Sequence, residues 1–178
     1  MRLAILVVVG CGRVGFGAID PATGDAAADG APDVSIACTP PYVMASGGCY
    51  RVVPAGQTWL AAEMDCEADG AHLIIIADVA EHDVLHGLLM AQSVVTTWIG
   101  YSDRRTESAF RWVGPGGVDA ATDNVCFWGP GGVINSPVND CVTANAANGC
   151  PDWTVIDCGA MRPYVCERDG LTIDPTSF

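Results

Sequence analysis

The 178-residue sequence contains eight arginines, no lysine and 21 acidic residues, so its formal net charge is −13. A chain this acidic is repelled by nucleic acid and by anionic membrane surfaces, which excludes both as electrostatic partners. Half of the residues are hydrophobic, enough for the core of one domain of ordinary size. The nine cysteines are dispersed and form no C-x-x-C pair. This favours disulfides and an oxidising compartment over a zinc site.

The N-terminus is typical of an export signal. Arg2 precedes the apolar run Leu3–Val9, which is far too short to span a bilayer. The following Val-Val-Gly-Cys resembles the lipobox of bacterial lipoproteins. The resemblance implies a signal peptide over residues 1–10, lipidation of Cys11 and anchoring to a bacterial membrane from outside the cytoplasm. An ordinary secretory signal, cleaved somewhat later and giving a secreted protein, is the alternative.

The same segment also matches the dinucleotide-binding pattern Gly10-x-Gly12-x-x-Gly15. That pattern requires a helix directly after the glycines, and the following Gly- and Pro-containing stretch does not favour one. Residues 11–37 are rich in Gly, Ala, Asp and Pro, and they predict a flexible tether.

From Cys38 onward the pattern becomes that of a folded domain. Cys38 and Cys49 flank turn residues and precede a strand-like run, which predicts a stapled hairpin. A helix should begin after Thr58, as N-cap, and end before Gly70. Helical spacing places three of its residues on one buried face: Trp59, Ala62 and Cys66.

A short buried run follows, and then a second helix. Asp78 with Glu81 resembles a capping box, which predicts that this helix begins near Val79. Short apolar segments come next, separated by Gly-, Pro-, Asn- and Asp-rich loops; they are TTWIGY, FRWV, VCFW, CVTA, DWTV and RPYVCE. Two helices followed by many short strands indicate the α+β class.

These segments, in this order, resemble the C-type lectin-like domain in its long form. The resemblance covers residues 38–168 and leaves residues 169–178 as a C-terminal tail. It implies two helices and short antiparallel sheets with a long-loop region, stapled by disulfides. The residues that carry it are GGCYRV (47–52), Trp59 with Ala62, Glu63 and Cys66, GAHL (70–73), WIGYSD (98–103), FRWV (110–113), FWGPG (127–131), NDCV (139–142), Trp153 with Cys158, and YVCE (164–167).

The resemblance also implies a cysteine pairing. The family's bridges correspond to Cys66–Cys166 and Cys141–Cys158, and the long form adds Cys38–Cys49. Cys126 is then left to pair with Cys150.

Calcium-dependent members of this family bind sugar through a Ca²⁺ ion held by an E-P-N-type triplet, a nearby Glu and a W-N-D motif. Here the triplet region is GPGGVINSPVNDC, the Glu position holds Asn139, and W-N-D is replaced by Trp153-Thr154-Val155. Valine cannot coordinate calcium, so the usual site is expected to be absent and binding to be calcium-independent. Four acids in or near the loops could still form another cation site, although solvated loop acids are favoured: Asp123, Asp140, Asp152 and Asp157.

His82 and His86 stand four positions apart on the predicted second helix, as in a zinc hydrolase. A third ligand is required downstream, and the remaining histidine, His72, lies upstream on the buried run. Two surface histidines are the favoured interpretation, and a zinc hydrolase is a remote alternative. No serine lies in G-x-S-x-G, so no enzyme and no cofactor are predicted.

The sequence therefore predicts an exported ligand-binding module for a glycan or a protein, acting through the long-loop face (118–152). The alternative is a structural display module without a small ligand. Trp98, Trp112 and Trp153 match core positions of the family. The candidate ligand-binding residues are Asp123, Asn124, Trp128, Asn135, Asn139, Asp140 and Asp152.

Overall fold

A computed structural model of the protein describes residues 38–115, 128, 133, 136–146 and 153–173. Within them lie two helices and eight strands. In chain order these are β1 (Val43–Ala45), β2 (Gly48–Gln57), α1 (Trp59–Ala68), β3 (His72–Leu73), α2 (Val79–Ala91), β4 (Thr96–Ser102), β5 (Arg111–Trp112), β6 (Cys141–Asn145), β7 (Trp153–Ile156) and β8 (Arg162–Arg168). The predicted α+β class is confirmed.

Both helices begin at the predicted caps. The Thr58 hydroxyl accepts a hydrogen bond from the Ala61 N–H, and α1 starts at Trp59. The Asp78 carboxylate accepts one from the Glu81 N–H, so α2 starts at Val79. These side chains satisfy N–H groups that the first helical turn leaves without partners.

The N-terminal hairpin is also present. Ser46 and Gly47 both have positive φ, 41° and 88°, in the two-residue turn between β1 and β2. This backbone twist matches the twist of paired strands, and glycine adopts it at no steric cost.

The strands form one sheet in the order β1-β2-β8-β4-β6-β7, with β3 on β8 and β5 on β4. Every pairing is antiparallel except β4 with β8. The register places Cys49 of β2 opposite Arg168 of β8. Gly100 permits a close approach of β4 to β3, because a Cβ there would lie 2.7 Å from the Leu73 carbonyl oxygen.

Three disulfides occur in the described part of the chain, and they are the bridges implied by the family resemblance: Cys38–Cys49, Cys66–Cys166 and Cys141–Cys158. Trp59 and Trp98 are fully buried, and Trp153 is nearly so. Cys11, Cys126 and Cys150 lie outside the described residues, as do the predicted signal peptide and tether. Within the part that is described, no helix is long and apolar enough to cross a membrane.

Candidate functional site

The predicted strand after Trp153 is present as β7, and it fixes the two positions that replace the metal-binding motif. The Val155 side chain is only 8% exposed and belongs to the hydrophobic core. Thr154 is exposed, and its carbonyl oxygen accepts a hydrogen bond from the Thr143 hydroxyl. The alternation follows from the strand, whose successive side chains point to opposite faces. This segment therefore presents one hydroxyl and no carboxylate.

Trp128 lies beside β7 and is mostly buried. It forms a parallel β-bridge with Trp153, and the two ring centroids are 5.6 Å apart. The Phe110 ring lies 6.4 Å away on another side. With 9% of Trp128 exposed, most of the side chain packs in the core. Its role in ligand binding stays a prediction, and it would rest on the small part of the ring that is exposed.

Asn139 and Asp140 lie just before β6. Asn139 bridges to Ser136, and its N–H donates to the Ser136 carbonyl oxygen at 3.0 Å. The Asp140 carbonyl oxygen accepts a hydrogen bond from the Asp103 N–H, also at 3.0 Å. The turn after β4 is thereby attached to the start of β6. The other predicted ligand-binding residues lie outside the described residues: Asp123, Asn124, Asn135 and Asp152.

Asp103 and Asp140 form a pair of carboxylates that the sequence analysis did not identify. Asp103 is 2% exposed. The Oδ1 atoms of both side chains are buried without a hydrogen-bond partner among the described residues. Burial raises the pKa of Asp103, and the charges of Asp140 and Glu107 add to this effect, while a hydrogen bond from the Ser108 N–H opposes it. Two neighbouring acids with unsatisfied oxygens are a suitable start for a cation site.

Asp157, the fourth acid considered from the sequence, is exposed and stabilises a turn. Its Oδ1 accepts a hydrogen bond from the Gly159 N–H at 2.8 Å. It therefore behaves as a solvated loop acid.

The expectation that both helix histidines lie on the surface was wrong for His82. Its side chain is 1% exposed, and burial lowers its pKa. The spacing of His82 with Leu85 and Leu89 is that of a buried helix face, and this signal could have placed it. His86 hydrogen-bonds through Nδ1 to the Ala146 carbonyl oxygen. Among the described residues, these histidines join no group of three potential metal ligands.

One such group does occur in the described part of the chain: His72, Glu167 and Asp169. Glu63 is fully buried nearby, and its Oε2 accepts a hydrogen bond from the Leu73 N–H at 2.8 Å. Glu63 falls on the same helical face as Trp59 and Cys66, at spacings of four and three residues. That spacing is the signal that would have marked Glu63 as a buried acid.

Comparison with known proteins identifies the family. The family model for the Lectin C-type domain matches residues 55–168. The chain belongs to the C-type lectin family. This C-type lectin is 30% identical over 136 residues to the human "C-type lectin domain family 17, member A", covering 75% of this chain and 32% of that protein. It is also 27% identical over 135 residues to a "C-type lectin" from Cerberus rynchops, covering 73% of this chain and 82% of the relative.

The curated relatives include much longer proteins. The match to the mouse "Secretory phospholipase A2 receptor" is 27% identical and covers 9% of that receptor. The C-type lectin thus spans about a third of the human relative and about a tenth of the mouse receptor.

Solved structures share the fold. A calcium-dependent type II antifreeze protein, in its calcium-free form, gives a TM-score of 0.63 at 20% identity, covering 74% of this chain and 99% of that one. A calcium-independent type II antifreeze protein gives 0.62 at 22% identity, covering 74% and 94%. The mouse scavenger receptor C-type lectin carbohydrate-recognition domain gives 0.62 at 24% identity, covering 77% and 100%.

Proposed function

We propose that this C-type lectin is an exported binding module for a glycan or a protein surface, and that its ligand is not bridged by a calcium ion. The observation that carries this proposal is the burial of Val155 next to Thr154, where calcium-dependent members have two oxygen-bearing side chains. One exposed hydroxyl cannot supply the six to eight oxygens that calcium takes. The ligand-binding face is formed by the 118–152 loops with Asn139 and the exposed edge of Trp128.

Export is supported by the disulfides. Three bridges in a chain of this size are typical of an oxidising compartment. The apolar run before Cys11 supports a signal peptide, and the lipobox resemblance supports lipid anchoring at that cysteine. Replacing Cys11 with serine should release the protein from the membrane or block its processing. A mature N-terminus well downstream of Cys11 would instead indicate an ordinary secretory signal.

A candidate calcium site of a different kind lies at Asp103 and Asp140. Each contributes a buried carboxylate oxygen without a partner among the described residues, so the pair would supply two of the six to eight oxygens that calcium takes. An ion there would neutralise two neighbouring acids and hold the turn after β4 against the start of β6. Its contribution would be to the stability of the loop region, not to direct ligation of a sugar.

A glycan array probed with the full chain tests ligand binding. We expect binding in excess chelator equal to binding in millimolar calcium. Asn139→Ala should weaken it, while Thr106→Ala, on the exposed turn after β4, serves as the control. Loss of binding in chelator would contradict the proposal. Binding to no glycan would favour a protein ligand or the structural display module, and capture of a surface protein would separate these two.

A further inference from the structure

Three side chains that can ligate a transition metal converge away from β6 and β7, where β3 pairs with β8. A nitrogen of His72 and a carboxylate oxygen each from Glu167 and Asp169 lie within 4.8 Å of one another. The register of the two strands places His72 directly opposite Glu167. Asp169 follows two positions after Glu167, in the bend just beyond the end of β8. Sheet pairing brings His72 and Glu167 together, and the bend after β8 adds Asp169.

Each of the three side chains is oriented by a backbone group. His72 Nδ1 lies 2.9 Å from the Leu73 carbonyl oxygen, which leaves Nε2 facing Asp169 at 3.2 Å. The Ile75 N–H donates to Glu167 Oε2 at 3.0 Å, and the Leu171 N–H donates to Asp169 Oδ1 at 2.8 Å. Metal-bound histidines commonly donate their second ring N–H to a carbonyl, and ligating carboxylates are themselves hydrogen-bonded. The surrounding shell of a metal site is thus already in place.

Carboxyl groups outnumber cationic side chains in this cluster. Glu63, Glu167 and Asp169 provide three carboxylates beside a single imidazole. Arg168 does not compensate, because its guanidinium donates to the Asp69 carbonyl oxygen and stacks on the Tyr42 ring. Glu63 Oε1 is buried with no hydrogen-bond partner in the described part of the chain.

We propose that His72, Glu167 and Asp169 bind one zinc ion, with water as the fourth ligand. Imidazole and carboxylate ligands at about 2.0–2.2 Å suit zinc, and such ligands stand about 3.3–3.5 Å apart in a tetrahedron. The observed 3.2 Å between His72 Nε2 and Asp169 Oδ1 is close to that spacing. Calcium prefers oxygen ligands alone, so the imidazole disfavours it. The Asp169 side chain is 25% exposed and gives the ion a route from solvent.

Zinc in this position would tie the end of β8 to β3. Since the ligands are assembled only in the folded chain, the binding free energy adds to the free energy of unfolding. The competing arrangement is a protonated His72 paired with Asp169 and no metal.

Calorimetric titration of the untagged, disulfide-intact full chain with zinc chloride, after removal of metals by chelator, tests the proposal. We expect one zinc ion per chain. Asp169→Asn should weaken binding by more than about tenfold, since it removes a direct ligand. Asp157→Asn is the matched control, because Asp157 stabilises the same kind of turn through the Gly159 N–H and lies outside the cluster. It should bind zinc as the unmodified chain does.

Absence of stoichiometric binding, or equal binding by Asp169→Asn, would overturn the proposal. The cluster would then be a metal-free ion pair of protonated His72 with Asp169. X-ray absorption of the zinc-loaded unmodified chain provides a test that needs no variant. We expect nitrogen and oxygen neighbours at about 2.0–2.2 Å with an imidazole contribution. A sulfur neighbour, or a shell of oxygens alone, would contradict the proposed ligands.

Discussion

Asp65 and Asp69, near the end of α1, face Arg51, whereas Asp103 has another acid, Asp140, as its neighbour. Arg51 Nη2 lies 2.8 Å from one Asp65 oxygen and 3.1 Å from one Asp69 oxygen. A hydrogen bond from the Tyr164 hydroxyl, together with Arg51, lowers the pKa of Asp65 against the effect of burial. Burial and neighbouring acids raise the pKa of Asp103. The first group is neutralised by the chain itself, so only the second gains from an external cation.

The disulfides give the largest expected difference between these two regions. The Cys66–Cys166 bridge touches the Arg51 group, since Arg51 Nη2 lies 3.2 Å from Cys166 Sγ. It closes a sequence separation of 100 residues, and replacing both cysteines with serine should cost on the order of 4–5 kcal/mol. The Cys141–Cys158 bridge, next to Asp140, closes 17 residues, and its removal should cost about 3 kcal/mol. Non-reducing denaturant unfolding compares the two double variants, and equal losses would contradict the loop-length explanation.

Glu63 should make stability depend on pH. Burial raises its pKa from the ordinary value of 4.5 to about 7. Between these two pH values the folded state therefore holds a proton that the unfolded state has lost. The stabilisation is complete below pH 4.5 and is lost as pH rises through 7, a change on the order of 3 kcal/mol. Glu63→Gln, which keeps an acceptor for the Leu73 N–H, should flatten this slope in chelator-containing buffers.

Asp157→Asn, on the exposed turn after β7, is the control for the pH experiment and should keep the slope of the unmodified protein. A slope unchanged in Glu63→Gln would show that Glu63 is ionised at neutral pH in the folded chain.

Calcium should stabilise the region around Asp103 and Asp140. At a concentration a hundredfold above the dissociation constant, a folded-state ligand adds about 2.7 kcal/mol to the free energy of unfolding. Thermal melting in calcium and in chelator should therefore differ by several degrees, and Asp140→Asn should remove the difference. Identical melting of the unmodified protein in both buffers would show that the two carboxylates remain without a cation.

Replacing one acid in each region should give the smallest effects. In chelator, the free energy of unfolding should fall for one variant and not for the other. Asp65→Asn loses the bonds with Arg51 and Tyr164, and it should lower the free energy of unfolding by up to about 1 kcal/mol, since this ion pair is partly exposed. Asp140→Asn relieves the repulsion with Asp103 and should leave stability unchanged or slightly raised. A clear loss in Asp140→Asn would mean that this carboxylate has a stabilising partner in the folded chain.

The local features of the fold could be predicted from the sequence. Thr58 and Asp78 start the helices, and Ser46-Gly47 forms the hairpin turn, because each signal operates within a few residues. The Asp103–Asp140 pair was not predicted, since it depends on β4 and β6 meeting in the sheet. The grouping of His72 with Glu167 and Asp169 likewise follows from the pairing of β3 with β8. Such convergence of distant residues has no local signal in one sequence.

The arrangement of the bridges determines how this protein would respond to mechanical load. Cys38 is joined to Cys49, and Cys66 is joined to Cys166. A pulling force on the chain outside the domain would therefore be carried by the two bridges. The segments that the bridges enclose, 38–49 and 66–166, would not extend. Between Cys38 and Cys166, only the stretch from Cys49 to Cys66 could then extend, to a full length of about 60 Å. The core strands β4, β6 and β7 lie inside the larger covalent ring, so pulling on the domain would not extend them.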